Sequence, residues 1–272
     1  MNNTLRMSIF WVIALFITLS AAVYQRLTGP THPKRVELKT PMDNYKLKLI
    51  RSHGGNKNCP LLFEIADSSI TCKVEYKRFN TKDNWTVINL TRNGSVLKGE
   101  LPHQPPAGKI EYKVTFFKDN NPINNPNEFH TIVRFKGGVP NIILIPHIIL
   151  MFIAMLLSNL VGILALAKDK KMKFYTNLTF IIILIGGMIF GPLMQLYAFG
   201  ELWTGFPKGM DLTDNKTLIA FVFWIIAVIK NRKKQKPIWI ILASVIMLMV
   251  YLIPHSMFGS ELNYESGNII SN

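Results

Sequence analysis

Apolar residues follow two patterns along this chain. Near the start and beyond residue 140 they form unbroken blocks, at 8–24, 142–167, 174–199, 218–229 and 238–253, whereas between 36 and 136 they alternate with polar residues. A helix needs roughly 20 apolar residues to cross a bilayer core, and the blocks approach that length. The fourth covers only 12 residues, a length more usual for a buried core helix or an interfacial segment. Lys216 and Lys230 flank it, however, and their long stems reach toward headgroups. The block therefore reads as a span that begins near Asp214 and carries a polar first turn. The expected fold class is a membrane protein: an α-helical transmembrane bundle of five spans, with an all-β sandwich extracytoplasmic domain inserted after the first.

The alternating region supplies that domain. Residues 71–77, 85–90 and 110–116 alternate polar and apolar positions as half-buried strands do, and 36–40, 45–50, 61–66, 96–100 and 128–135 are further strands. Turn residues separate them: Gly54-Gly55, Asp67-Ser68-Ser69, Asn93-Gly94, Pro105-Pro106-Ala107-Gly108 and Asp119-Asn120-Asn121. Seven or eight short strands over about 100 residues read as a β-sandwich. The stretch 100–114, Glu-Leu-Pro-His-Gln-Pro-Pro-Ala-Gly-Lys-Ile-Glu-Tyr-Lys-Val, ends one strand, turns on Pro and Gly, and raises Tyr112 and Val114 into a core. It resembles the late part of a fibronectin type III or immunoglobulin-like domain. That resemblance covers this domain alone and implies a sandwich, with no chemistry attached, because the fold hosts many functions.

Charge sets the orientation. The formal net charge is +15, and two short loops carry much of it: 168–173 holds four lysines and one aspartate, and 230–236 holds five basic residues. Short basic loops stay in the cytoplasm, and two spans separate these two, so both lie on one side. The N-terminus is then cytoplasmic, and residues 25–139, the loop 200–217 and the C-terminal tail are extracytoplasmic. The domains read as 1–25 (first span), 36–136 (β domain), 140–256 (four-helix membrane domain) and 257–272 (tail). The first block also has features of a cleavable signal, with Arg6 before it and Ser20, Ala21 and Ala22 at its end; the lack of a clean small-x-small site favours a retained anchor over a protein with four spans. Residues 25–139 hold 19 Lys or Arg against 10 Asp or Glu, spread without a run, which suits a solvated face before anionic lipid and argues against nucleic acid.

Candidate chemistry is sparse. Cys59 and Cys72, the two cysteines, lie where disulfides persist, yet a hairpin turning at 67–69 would set Cys59 opposite residue 77 and Cys72 opposite residue 64. A disulfide between them stays open. Asn84, Asn89 and Asn93 head glycosylation sequons. His147 and His255 each follow a proline near the outer ends of two spans; histidine there is either a haem or metal ligand or a partner for carbonyls that proline frees. The loop 200–217 gathers Glu201, Trp203, Asp211, Asp214, Asn215 and Lys216 on the same side, with Gln195 just inside the third span. Trp203 suits the interfacial belt, and Asp214 or Thr213 can cap the fourth helix. This is the candidate outer-face polar site. Gly187 and Gly191 form a GxxxG pair that permits close helix approach or oligomerisation, and Pro192 predicts a kink. Within the spans the amides are Asn159, Asn177 and Gln195, and no Asp, Glu, Lys or Arg sits mid-span, which ranks ion-coupled transport low.

Two functional expectations follow. The first is a non-enzymatic membrane scaffold that presents the β domain to other envelope proteins, with acidic outer residues (Glu201, Asp211, Asp214, Glu261, Glu265) facing a basic domain. The second is a redox or quinone-handling subunit in which His147 and His255 bind haem or a metal. No Ser/His/Asp or HExxH-like arrangement supports a hydrolase.

Overall fold

A computed structural model describes residues 2–255, 257 and 259–270. The described residues divide into a helical unit (within 2–29 and 139–259) and a β unit (residues 30–138 and 260–270).

In the helical unit α1 (Asn3–Thr28) is followed by α2 (Asn141–Leu166), α3 (Met172–Ile183), a π-helical turn (Leu184–Ile189), α4 (Phe190–Phe199), α5 (Leu212–Lys230) and α6 (Pro237–Leu252). Four helices are long and apolar enough to cross a membrane: α1, α2, the continuous stretch Met172–Phe199, and α5; α6, with 16 residues, is a shorter apolar helix. The fourth block escapes its apparent shortness because α5 starts at Leu212, where Asp211 caps it by accepting from the Thr213 and Asp214 N–H groups at 2.8 and 3.4 Å. Asp214, expected as a cap, instead lies in the first turn.

Small residues let the helices approach. Ala14, Thr18 and Ala21 make the buried stripe of α1, and Thr18 Oγ1 accepts from Asn159 Nδ2 of α2 at 2.9 Å. A Cβ on Gly162 would lie 2.9 Å from Ser244 Cβ, so α2 and α6 touch nearly backbone to backbone, and Ser244 Oγ donates to the Ser158 carbonyl. Trp224 is fully buried and donates to Met247 Sδ. Where Pro192 predicts a kink, the helix widens into the π turn just before it. Gly186 and Gly187 sit in that turn, their α-hydrogens against Leu150 of α2 and Thr217 of α5. The close approach made by Gly187 is thus to a helix of its own chain.

In the β unit the strands are β1 (Lys34–Lys39), β2 (Asn44–Leu49), β3 (Ser52–Gly54), β4 (Cys59–Glu64), β5 (Ile70–Arg78), β6 (Thr86–Asn89), β7 (Thr91–Asn93), β8 (Val96–Leu101), β9 (Lys109–Lys118), β10 (Asn121–Pro122), β11 (His130–Lys136), β12 (Glu261–Leu262) and β13 (Ile269–Ile270). The largest sheet has the order β3-β11-β9-β5-β6, with β10 also on β9; a second is β4-β8-β7; β1-β2 and β12-β13 form two-stranded ribbons. All pairings are antiparallel except β3 with β11. Alternate residues of seven strands meet in one core, where Phe63 of β4 stands edge-on to Phe116 of β9 at 5.5 Å.

The hairpin expected at 67–69 does not form. β4 pairs with β8, β5 with β9 and β6, and the corner between them carries the chain from one sheet to another. Arg92 fastens that corner, donating to the carbonyls of Ile65, Asp67 and Ile70 at 2.8, 3.0 and 2.6 Å. Asp67 also accepts from Lys118, which with Ser69 holds its carboxyl well below the usual range. Cys59 and Cys72 are therefore on strands of different sheets, both as buried free thiols. Residues 260–270 complete the β unit. Lys109 pairs with Glu261 at 2.6 Å, Leu262 N–H donates to the Ala107 carbonyl, and the Tyr264 hydroxyl accepts from Lys109 N–H at 3.0 Å.

Candidate functional site

The loop between α4 and α5 is folded around the first turn of α5. Asp214, 7% exposed, accepts at Oδ2 from Thr204 N–H at 2.7 Å and from Thr204 Oγ1 at 3.2 Å. Gln195 Nε2 donates to the same hydroxyl at 2.7 Å. Asn215 Oδ1 takes Phe206 N–H at 2.7 Å, and Trp203 Nε1 donates to the Phe206 carbonyl. Gly205 makes this closeness possible, since a Cβ there would lie 2.7 Å from Asp214 Cβ. Buried polar groups must be paired, and here the loop pairs with the helix start. Asp211 is buried by its capping role. Glu201 is exposed and has no hydrogen bond or ion pair among the described residues.

Lys216, one turn further, is 5% exposed. Its ammonium donates to the Ile253 carbonyl at 2.7 Å and to His255 Nδ1 at 3.1 Å, with Asp211 as electrostatic counterpart. Gln25, at the end of α1, reaches the Tyr251 carbonyl at 2.6 Å and approaches His255 Nδ1 at 3.5 Å. These bonds place the ends of α1 and α6 beside the start of α5. Desolvation, then the Lys216 ammonium, then His147 hold His255 below the ordinary imidazole range, although the residue is exposed overall.

His147 stands 2.9 Å from the Gly186 carbonyl through Nδ1. The π turn changes what that carbonyl meets. In an α-helix it would receive Phe190 N–H, but that group reaches back to Ile185 instead, and widened turns of this kind recur at functional sites.

These bonds fix the two tautomers. A carbonyl only accepts, so His147 carries its proton on Nδ1 and presents a lone pair at Nε2. An ammonium only donates, so neutral His255 accepts at Nδ1 and carries its proton on Nε2. Haem or zinc ligation through Nε2 needs the first arrangement at both rings; His147 has it and His255 does not. The cavity beside His255, lined by Met151, Lys216, Thr217, Met247 and Tyr251, measures about 30 Å³, far less than a cofactor pocket. A bis-histidine haem does not fit these residues as they stand. No group of three or more His, Cys, Asp or Glu suited to a metal occurs among the described residues.

Gln25, Thr204 and the Gly186 carbonyl escape sequence reasoning. Gln25 was legible only as a polar residue ending an apolar block, and a backbone carbonyl has no sequence signal at all. No protein family, curated protein or solved structure matches this chain. Four helices of membrane-crossing length and a separate multi-sheet β unit define its class.

Proposed function

We propose that this chain is an integral membrane protein that presents its β unit outside the cytoplasm as a partner-binding module, with the helical unit as its anchor. The observation that carries the reading is that the polar residues of the α4–α5 loop are spent on one another: Asp214 on Thr204, Asn215 on Phe206, Asp211 on the helix cap. A site built for chemistry keeps reactive groups turned toward a cavity, whereas these groups are turned toward one another.

The β unit, by contrast, keeps apolar side chains at its surface, Trp85 and Val87 among them. Lys77 and Lys113 place their ammoniums 5.1 and 4.7 Å from the Trp85 ring, beside exposed Val87. Aromatic and apolar residues on an exposed face mark interaction sites. The immunoglobulin-like reading draws support from strand order: β11-β9-β5-β6 follows the G-F-C-C′ order of such domains, and β4-β8-β7 follows B-E-D.

A photo-crosslinking residue at Val87, with Asn93 as a control on a different sheet, tests this in the native envelope. A defined adduct from Val87 alone is the expected result. Adducts from neither position, together with a Soret band in the purified protein that disappears in His147→Ala, would replace the reading with the redox one.

A further inference from the structure

Three amides interrupt the apolar blocks of the sequence, Asn159, Asn177 and Gln195, and their fates differ. Asn159 donates to Thr18 and Gln195 to Thr204. Asn177 is exposed on α3 and has no hydrogen bond among the described residues. On a helix that crosses a bilayer, such an amide faces lipid at a cost of a few kcal/mol unless something satisfies it.

Its surroundings indicate what does. Asn177 lies in a groove of about 400 Å³ between the start of α3 and the end of α5, lined by Lys173, Thr176, Val228, Ile229 and Arg232. Lys173 and Asn177 are four residues apart and share one face of α3; Arg232 follows the last turn of α5. Asn231 fixes the groove's wall, donating to the Ala227 carbonyl and accepting from Lys236 N–H, and Phe180 stacks on Phe221 deeper between the same helices at 5.6 Å. Lys173 Nζ reaches the Arg232 carbonyl at 3.3 Å, and neither cation has a carboxylate partner among the described residues. The groove therefore offers two positive charges at its mouth, an unsatisfied amide about 6 Å deeper along the helix, and apolar walls.

We infer that this groove seats an anionic phospholipid, with its phosphate on Lys173 and Arg232, a glycerol ester oxygen on the Asn177 amide, and an acyl chain along Val228 and Ile229. A free phosphate would use the cations and leave the amide unsatisfied; a zwitterionic lipid would bring its own cation to a site already positive. Basic pockets between helices at the cytoplasmic end bind such headgroups in general. The inference rests on the membrane reading of the proposed function.

The test is native mass spectrometry of the full chain in detergent, with phosphatidylglycerol, phosphatidylcholine or inorganic phosphate added. The expected result is one phosphatidylglycerol retained at least about tenfold better than phosphatidylcholine. Lys173→Gln with Arg232→Gln should lower that retention about tenfold or more, and Asn177→Leu, which changes no charge, severalfold, the loss of one or two hydrogen bonds. Lys233→Gln with Lys234→Gln removes equal charge outside the groove and should leave retention within about twofold. Equal loss in both charge variants, no effect of Asn177→Leu, or displacement of the lipid by inorganic phosphate would each overturn the inference. Failure of the membrane reading would show separately, as release of the chain from membranes by alkaline carbonate.

Discussion

Asp214→Ala should open the loop between α4 and α5 without disturbing the rest of the helical unit. Its carboxylate is the acceptor for Thr204 N–H at 2.7 Å and a second partner for the Thr204 hydroxyl at 3.2 Å, in a setting where Asp214 is 7% and Thr204 8% exposed. The hydroxyl keeps Gln195 as donor and can turn its own proton elsewhere, so its loss is minor. The backbone N–H loses this acceptor, and a buried donor that loses its partner costs about 1–3 kcal/mol, with the upper half of that range suited to a charge-assisted bond. A local cost of about 2–3 kcal/mol corresponds to a roughly 30- to 150-fold larger opening constant. Hydrogen exchange at Thr204 and Phe206, measured in nanodiscs, reads that constant directly. Asp214→Asn retains an oxygen acceptor and should exchange less than about tenfold faster than wild type. Unchanged exchange in Asp214→Ala would refute the claim that these bonds hold the loop, and with it the reading of the loop as structural.

Thr18→Val removes the acceptor of Asn159 and should cost about 0.6 kcal/mol, the average for interhelical bonds in membranes; a melting temperature identical to wild type would mean that this bond does not hold α1 to α2. Burial pushes the Cys59 thiol up to about 12 and Cys72 still higher, from an ordinary value of 9.0. That stability is fully present below pH 9 and is lost as pH rises toward 12, because the unfolded thiols ionise first. The alkaline loss should shrink in a Cys59→Ala, Cys72→Ala variant in pH-dependent melting, and an identical alkaline limb in both proteins would reject the assignment. Tyr264→Phe leaves Lys109 N–H without its acceptor and should expose residues 260–270 to limited proteolysis, with a local cost of about 1–3 kcal/mol; wild-type resistance would show that the remaining contacts, Lys109 with Glu261 and Leu262 N–H with the Ala107 carbonyl, suffice to hold the segment.

Features carried by local spacing were legible in the sequence. Alternation located the strands around Val74, Val87 and Val114, and block length located the helices, because side-chain period and bilayer thickness act residue by residue. Pairing was not legible. Residues 61–66 and 70–77 alternate alike whether they form one hairpin or lie in two sheets, and the Arg92 side chain that fastens the crossing is 22 to 27 residues away. β3 and β7, with three residues each, are too short to show a period. At the polar end of the bundle the residue types were visible but their partners were not. His255 was grouped with His147 as a second ligand, and its contact with Lys216, which reverses the tautomer, depends on where α6 ends beside α5.

The proposed function requires that the β unit and the basic loops lie on opposite sides of a membrane. Both native cysteines are buried, so single cysteines can be introduced against a quiet background: Asn93→Cys and Ser266→Cys in the β unit, Lys170→Cys and Lys233→Cys in the loops. In intact cells a membrane-impermeant maleimide should label the first pair and reach the second only after permeabilisation. Labelling of Lys170→Cys or Lys233→Cys in intact cells, with the β unit protected, would invert the topology; equal labelling of all four would contradict membrane insertion itself.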